Sequence, residues 1–209
     1  MSAIVMVLAS LTGYGQNVND QFDIDGYAYK ITSLTPLQVE VVGYTGAAKE
    51  LTIPPTVAHG ANTYTVTAIG NEAFVNRQLT SVVIPDGVIS IGQQAFFNNQ
   101  LSSLTLGANV TDIGFGAFQS NQLTSITISD GVANINGMAF ANNPINTVMA
   151  QGVATIPTIV TDNTFSNRSQ IDLIVPNGKT QAYLDNGWTG FESIMVCKIL
   201  EVNLFRTTN

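Results

Sequence analysis

Apolar and polar positions along this chain recur with a long fixed phase. Three consecutive segments align without gaps: Leu79–Gln100 (LTSVVIPDGVISIGQQAFFNNQ), Leu101–Gln122 (LSSLTLGANVTDIGFGAFQSNQ) and Leu123–Pro144 (LTSITISDGVANINGMAFANNP), each 22 residues long. A partial copy begins at Ile145 and reaches Phe165 after a short insertion. An upstream copy reads LTIP at Leu51–Pro54, carries an inserted loop, and rejoins at Val66. Four rows keep step through the copies. They are Phe74, Phe96, Phe118 and Phe140; Ala73, Ala95, Ala117 and Ala139; Ile69, Ile91, Ile113 and Ile135; and Val66, Val88, Val110 and Val132. One copy has too little apolar surface to fold alone, whereas stacked copies merge each row into a continuous buried ladder.

Each copy opens with L-x-x-L-x-L. Leu79, Val82 and Ile84, then Leu101, Leu104 and Leu106, then Leu123, Ile126 and Ile128 are expected to point inward. The β-branched content and the alternation predict a short strand. Stacking sets such strands in a parallel sheet about 4.8 Å apart. The later I-G-x-x-A-F predicts a short helical or 3-10 turn on the opposite side. Gly70, Gly92 and Gly114 begin that turn, with Asn136 in their place in the next copy. Both residue types tolerate positive φ, so left-handed backbone is expected there. The expected fold is an α/β-type repeat solenoid: a right-handed leucine-rich superhelix with a parallel concave sheet and short convex turns.

The ends break the phase. Residues 17–50 are expected to form a β-rich N-terminal cap, with a hairpin turning at Asp25-Gly26 and a further strand through Val39, Val41 and Tyr44. This cap is expected to cover the open sheet edge of the first repeat. Repeats occupy 51–170. A C-terminal cap at 171–196 is expected to hold a last strand in Ile171–Gly178, a short helix over Thr180–Asn186, and an aromatic lid of Tyr183, Trp188 and Phe191. Residues 197–209 fit neither cap nor repeat. The apolar run Ala3–Ala9 follows only Met1-Ser2, so it matches a signal peptide incompletely; residues 1–16 are expected to be such a leader or its remnant.

The motifs LTSVVIP at Leu79–Pro85 and SIGQQAF at Ser90–Phe96, with their copies, resemble the BspA-like leucine-rich repeat family of bacterial and protist surface proteins. The resemblance extends from about Phe22 to Val196. It implies a secreted or surface-exposed protein that adheres to matrix proteins or to other cells. Many family repeats carry a cysteine after the A-F turn. Here Asn98-Asn99, Ser120-Asn121 and Asn142-Asn143 stand in that region, and these asparagines are expected to bond the turns together.

Composition narrows the possible partners. Apolar residues make up 45% of the 209-residue chain and charged residues only 10%, against a usual charged share of about 25%. Its surface polarity must therefore come mainly from Ser, Thr, Asn and Gln. Seven basic and 14 acidic residues give a formal charge of −7. With no basic cluster, nucleic acid and anionic membrane are poor partners. No apolar run approaches the length of about 20 residues that a membrane span needs. The single cysteine, Cys197, excludes an intrachain disulfide.

Candidate chemistry is sparse. His59 is the only histidine, lies in the inserted loop, and has no G-x-S-x-G serine to serve. A zinc site lacks ligands. Gln21–Gly26 (QFDIDG) mimics part of a calcium loop but lacks acidic donors at both ends of the register, and a hairpin explains it. Gly114-Phe115-Gly116 lacks the third glycine of a phosphate loop. No catalytic residue, metal or cofactor is expected, and the chain is expected to be a non-enzyme.

The outward strand positions remain. One row comprises Ser81, Ser103, Ser125, Thr147 and Asp172; a second comprises Val83, Thr105, Thr127, Met149 and Ile174. Solenoids build extended recognition surfaces from such rows. The expected function is a non-catalytic interaction or adhesion module that acts as a monomer and binds a protein or cell-surface partner through the concave sheet. The alternative is a binder of a repetitive surface such as polysaccharide or ice, for which the rows offer a grid of about 6.6 by 4.8 Å.

Overall fold

A computed structural model of the chain describes residues 16–152, 154–159 and 162–197. The N-terminal cap is three antiparallel strands: β1 (Gln21–Ile24), β2 (Tyr27–Leu34) and β3 (Leu37–Tyr44). Its first turn is the expected one. Asp25 and Gly26 take φ of 52° and 81°, the left-handed pair that a two-residue hairpin needs.

The first copy contributes β4 (Glu50–Thr52), and its inserted loop is a hairpin of β5 (Thr56–His59) and β6 (Asn62–Ile69). His59 stacks on Phe22 at 3.9 Å between ring centroids, so it ties the insertion to the cap. Each following copy supplies two strands. They are β7 (Ser81–Val83) and β8 (Ser90–Ile91), β9 (Ser103–Thr105) and β10 (Asp112–Ile113), β11 (Ser125–Ile128) and β12 (Asn134–Ile135), and β13 (Thr147–Ala150) and β14 (Thr158–Ile159). The expected leucine-rich solenoid with parallel strands is present, with a second parallel ladder opposite the first. That second ladder joins β3, β6, β8, β10, β12 and β14 in one nine-stranded sheet with the cap and β5. It is the Ile69, Ile91, Ile113, Ile135 and Ile159 row seen as backbone; all five side chains are buried.

The cap therefore covers the edge of the second ladder, through β3 paired with β6. It does not cover the edge of the L-x-x-L strands, where β4 is outermost among the described residues.

The A-F segment makes no helix in the central copies. It is two overlapping four-residue turns, such as Ala95 N–H to Gly92 O (3.3 Å) and Phe97 N–H to Gln94 O (3.0 Å). The third residue of the first turn, Glu72, Gln94, Gly116 or Met138, holds φ of 52–60°, and this left-handed step stops the turns from continuing as a helix. Only the last copy has a 3-10 turn at this level, Asp162–Thr164. The positive φ expected at Gly70, Gly92 and Gly114 is absent. Those glycines are needed for closeness instead: a Cβ on Gly92 would lie 2.6 Å from the Asn71 nitrogen, and one on Gly114 would lie 2.6 Å from the Gly92 carbonyl carbon.

The core between the ladders is a column of rings. Phe74, Phe96, Phe118, Phe140 and Phe165 stack at 4.8, 5.2, 5.5 and 5.5 Å with planes within 8° of parallel. Tyr27 and Tyr44 close the column at one end. At the other, β15 (Asp172–Pro176) and α1 (Thr180–Asp185) bring up Tyr183, Trp188 and Phe191, the expected lid. The Trp188 indole N–H donates to Pro157 O at 2.7 Å and the Tyr183 hydroxyl to Gly152 O at 3.1 Å. One more strand follows, β16 (Ser193–Cys197), parallel to β15. Cys197, placed in the tail by the sequence, thus ends a strand. The expected leader and the rest of the tail lie outside the described residues.

Candidate binding face

The L-x-x-L strands present the candidate face. Val82, Ile84, Ile126, Ile128 and Val148 are buried, and their neighbours Ser81, Val83, Ser125, Thr127, Thr147 and Met149 take the opposite side, as strand alternation requires. Ser103, Thr105, Ser125 and Thr127 are exposed, Val83 is 40% exposed, and Ser81, Thr147, Met149 and Asp172 are half-buried. Strand register places Ser81 beside Ser103 and Val83 beside Thr105. It places Ser125 beside Thr147, and Thr127 beside Met149. Asp172 and Ile174 follow in the next strand.

The two rows are not continuous. The sheet divides into a three-stranded part, β4-β7-β9, and a four-stranded part, β11-β13-β15-β16. The copies stay joined at the strand start, where Gln122 N–H donates to Leu101 O at 3.0 Å, and part beyond it. Pairing stops at the copy where Leu104 and Leu106 stand in place of the β-branched residues of the flanking copies, although Leu104 itself pairs with Val82 on its other side. Both leucines are only partly buried. A cavity of about 300 Å³ opens there, lined by Leu104, Thr105, Leu106, Thr127, Ser129 and Gln151. The single parallel sheet expected from the stacked L-x-x-L strands is therefore two sheets.

Register also adds residues that the sequence reading omitted. Glu50 and Thr52 extend the two rows at one end, and Ser193 and Met195 extend them at the other. The irregular spacing of the first copy, caused by its inserted hairpin, and of the last copy hid them. At the far end the Ser193 hydroxyl donates to Asp172 at 2.6 Å. Thr147 donates to Asn146 at 3.0 Å.

The buried asparagines do not belong to the face. The Asn99 carboxamide oxygen accepts from the N–H groups of Arg77 and Leu79, while its nitrogen donates to Phe74 O and Phe96 O. Asn121 and Asn143 repeat the pattern one and two copies on. These asparagines stitch each turn to the preceding copy, as expected.

No group of three or more His, Cys, Asp or Glu able to hold a metal occurs among the described residues. No described helix is long and apolar enough to cross a membrane. The arrangement offers shape, hydroxyls and a few apolar side chains to a ligand.

Repeat and fold together define a leucine-rich repeat solenoid. The BspA type leucine rich repeat region matches residues 61–181 in six copies, and the chain belongs to that family. No curated protein matches the sequence. Among solved structures, the pneumococcal vaccine antigen PcpA is similar with a TM-score of 0.62 at 16% identity; the match covers 86% of this chain and 47% of that one, so this chain spans about half its length. The Treponema pallidum (T. pallidum) leucine rich repeat protein is similar with a TM-score of 0.59 at 15% identity, over 84% of this chain and 82% of that one. At these identities the likeness is one of fold.

Proposed function

We propose that this protein is a non-catalytic, surface-exposed interaction or adhesion module that binds a protein or cell-surface partner through the outward face of the L-x-x-L sheet. The observation that carries this reading is the face itself: two registered rows of Ser, Thr and apolar side chains, almost without charge, on the side of the strands opposite their buried positions. Solenoids use such extended faces for recognition. Family membership supports the reading, and so does the presence of a vaccine antigen among its structural neighbours. A surface location follows the same support.

A repetitive target such as ice or polysaccharide is less well served. Ice recognition needs an unbroken grid, and the division between β9 and β11 interrupts both rows. Sugar platforms use exposed aromatic rings, which neither row contains.

The test is binding of the purified chain to immobilised matrix proteins and to intact cells. The triple variant Ser103→Arg, Ser125→Arg, Thr127→Arg is expected to abolish binding while leaving the circular dichroism spectrum unchanged. Undiminished binding by a folded triple variant would sink the reading.

A further inference from the structure

Beside the division in the sheet lies a second and larger depression, of about 460 Å³. Its walls include Pro55, Val83, Pro85, Thr105, Leu106 and Asp86. Apolar side chains supply most of that surface, and Asp86 is its only charged residue. The Asp86 carboxylate is exposed, and one of its oxygens accepts the Ala108 N–H at 2.8 Å. Its second oxygen has no hydrogen-bond partner among the described residues.

The surrounding charge is one-sided. From Leu79 to Asn167 the chain has four aspartates and no lysine, arginine or histidine. Lys49, just before β4, donates from its ammonium to Arg77 O at 2.7 Å. An incoming cation would therefore meet no like charge in the copies from Leu79 to Asn167, whereas an incoming anion would meet only aspartates there.

We infer that the depression receives an arginine side chain of the protein partner, its stem against Val83 and the two prolines and its guanidinium on Asp86. An arginine combines an apolar stem with a head that bonds a carboxylate, and both requirements are met side by side here. The depression shares Thr105 and Leu106 with the cleft between β9 and β11, so a residue flanking that arginine can enter the cleft. Buried arginine anchors of this kind dominate many interfaces. The inference deepens the interaction-face reading and rests on it for the identity of the ligand as a protein.

The probe is butylguanidinium, with butanol and butyrate as controls, titrated into the whole chain and followed by amide chemical shifts. Butylguanidinium is expected to shift Val83, Asp86 and Leu106 together and to bind about fivefold more tightly than butanol. Butyrate is expected to bind more weakly still. Asp86→Asn keeps the oxygen that accepts the Ala108 N–H, so the fold persists, and it is expected to bring butylguanidinium down to the affinity of butanol. Equal affinity of butanol and butylguanidinium for the unmodified chain, or an Asp86→Asn variant that binds butylguanidinium undiminished, would overturn the inference. Partner binding separates the two readings. Loss with the triple-arginine variant but none with Asp86→Asn removes the arginine pocket and leaves the face. A triple-arginine variant that still binds its partner removes the face, while the guanidinium titration continues to judge the pocket.

Discussion

At Gly92 a single added carbon would lie 2.6 Å from the Asn71 nitrogen and 2.7 Å from the Gly70 carbonyl carbon. Backbone atoms of the neighbouring copy cannot swing aside as a flexible side chain could. Gly92→Ala is therefore expected to destabilise the chain by about 1–3 kcal/mol through overpacking, measured by urea unfolding. The same residue marks a limit of sequence reading. The recurrence of glycine at 70, 92 and 114, with Asn136 next, was legible, but its reason was not, because a one-dimensional pattern does not show which atoms of another copy lie opposite. One left-handed row lies two residues further on, at Glu72, Gln94, Gly116 and Met138, where four different residue types stand and leave no visible signature; a second, at Asn76, Asn98, Ser120 and Asn142, is marked by asparagine.

At the scale of the element, the asparagine ladder and the ring column hold copy to copy. Asn121 is buried, and its carboxamide bonds Leu101 N–H, Phe96 O and Phe118 O at 3.0 Å each. Asn121→Ala strands those backbone groups away from water. The expected cost is about 2–4 kcal/mol, with a matching fall in the urea midpoint and faster amide exchange at Leu101. The Asn row itself was readable from its spacing. Its bonds follow from that spacing, since each asparagine sits at the same place against the copy before it. The interruption between β9 and β11 was not readable. Leu104 and Leu106 satisfy the L-x-x-L-x-L pattern better than their neighbours do, yet they accompany the lost pairing. Pattern records polarity, whereas pairing depends on how each side chain fits the pleat.

At the scale of the whole molecule, both ends are sealed by aromatic caps that contain buried phenols. Burial pushes Tyr27 and Tyr29 up to about 12, with Tyr44 adding to the first and Tyr27 and Asp25 to the second. Burial likewise raises Tyr183 to about 12 against the lowering effect of its bond to Gly152, with Asp130 raising it further. In the unfolded chain these phenols ionise near 10. Between pH 10 and 12 the unfolded chain therefore binds fewer protons than the native one, and stability falls as pH rises. Their contribution is complete below pH 10 and is lost through pH 12. Denaturant midpoints are expected to be flat from pH 8 to 9.5 and to drop steeply above 10, and Tyr183→Phe is expected to make that drop shallower.

The sequence by itself determined the period, the family, the inward rows and the caps. Each depends on residues repeating at a fixed distance along the chain, and stacking converts that distance directly into contact. Tertiary structure alone decided where the sheet divides, that the cap covers the second ladder rather than the first, and that Val83, Asp86 and Leu106 surround one depression. Those outcomes depend on how side chains of different copies fit across a gap of a few ångströms, and that fit is set by shape in three dimensions rather than by order along the chain.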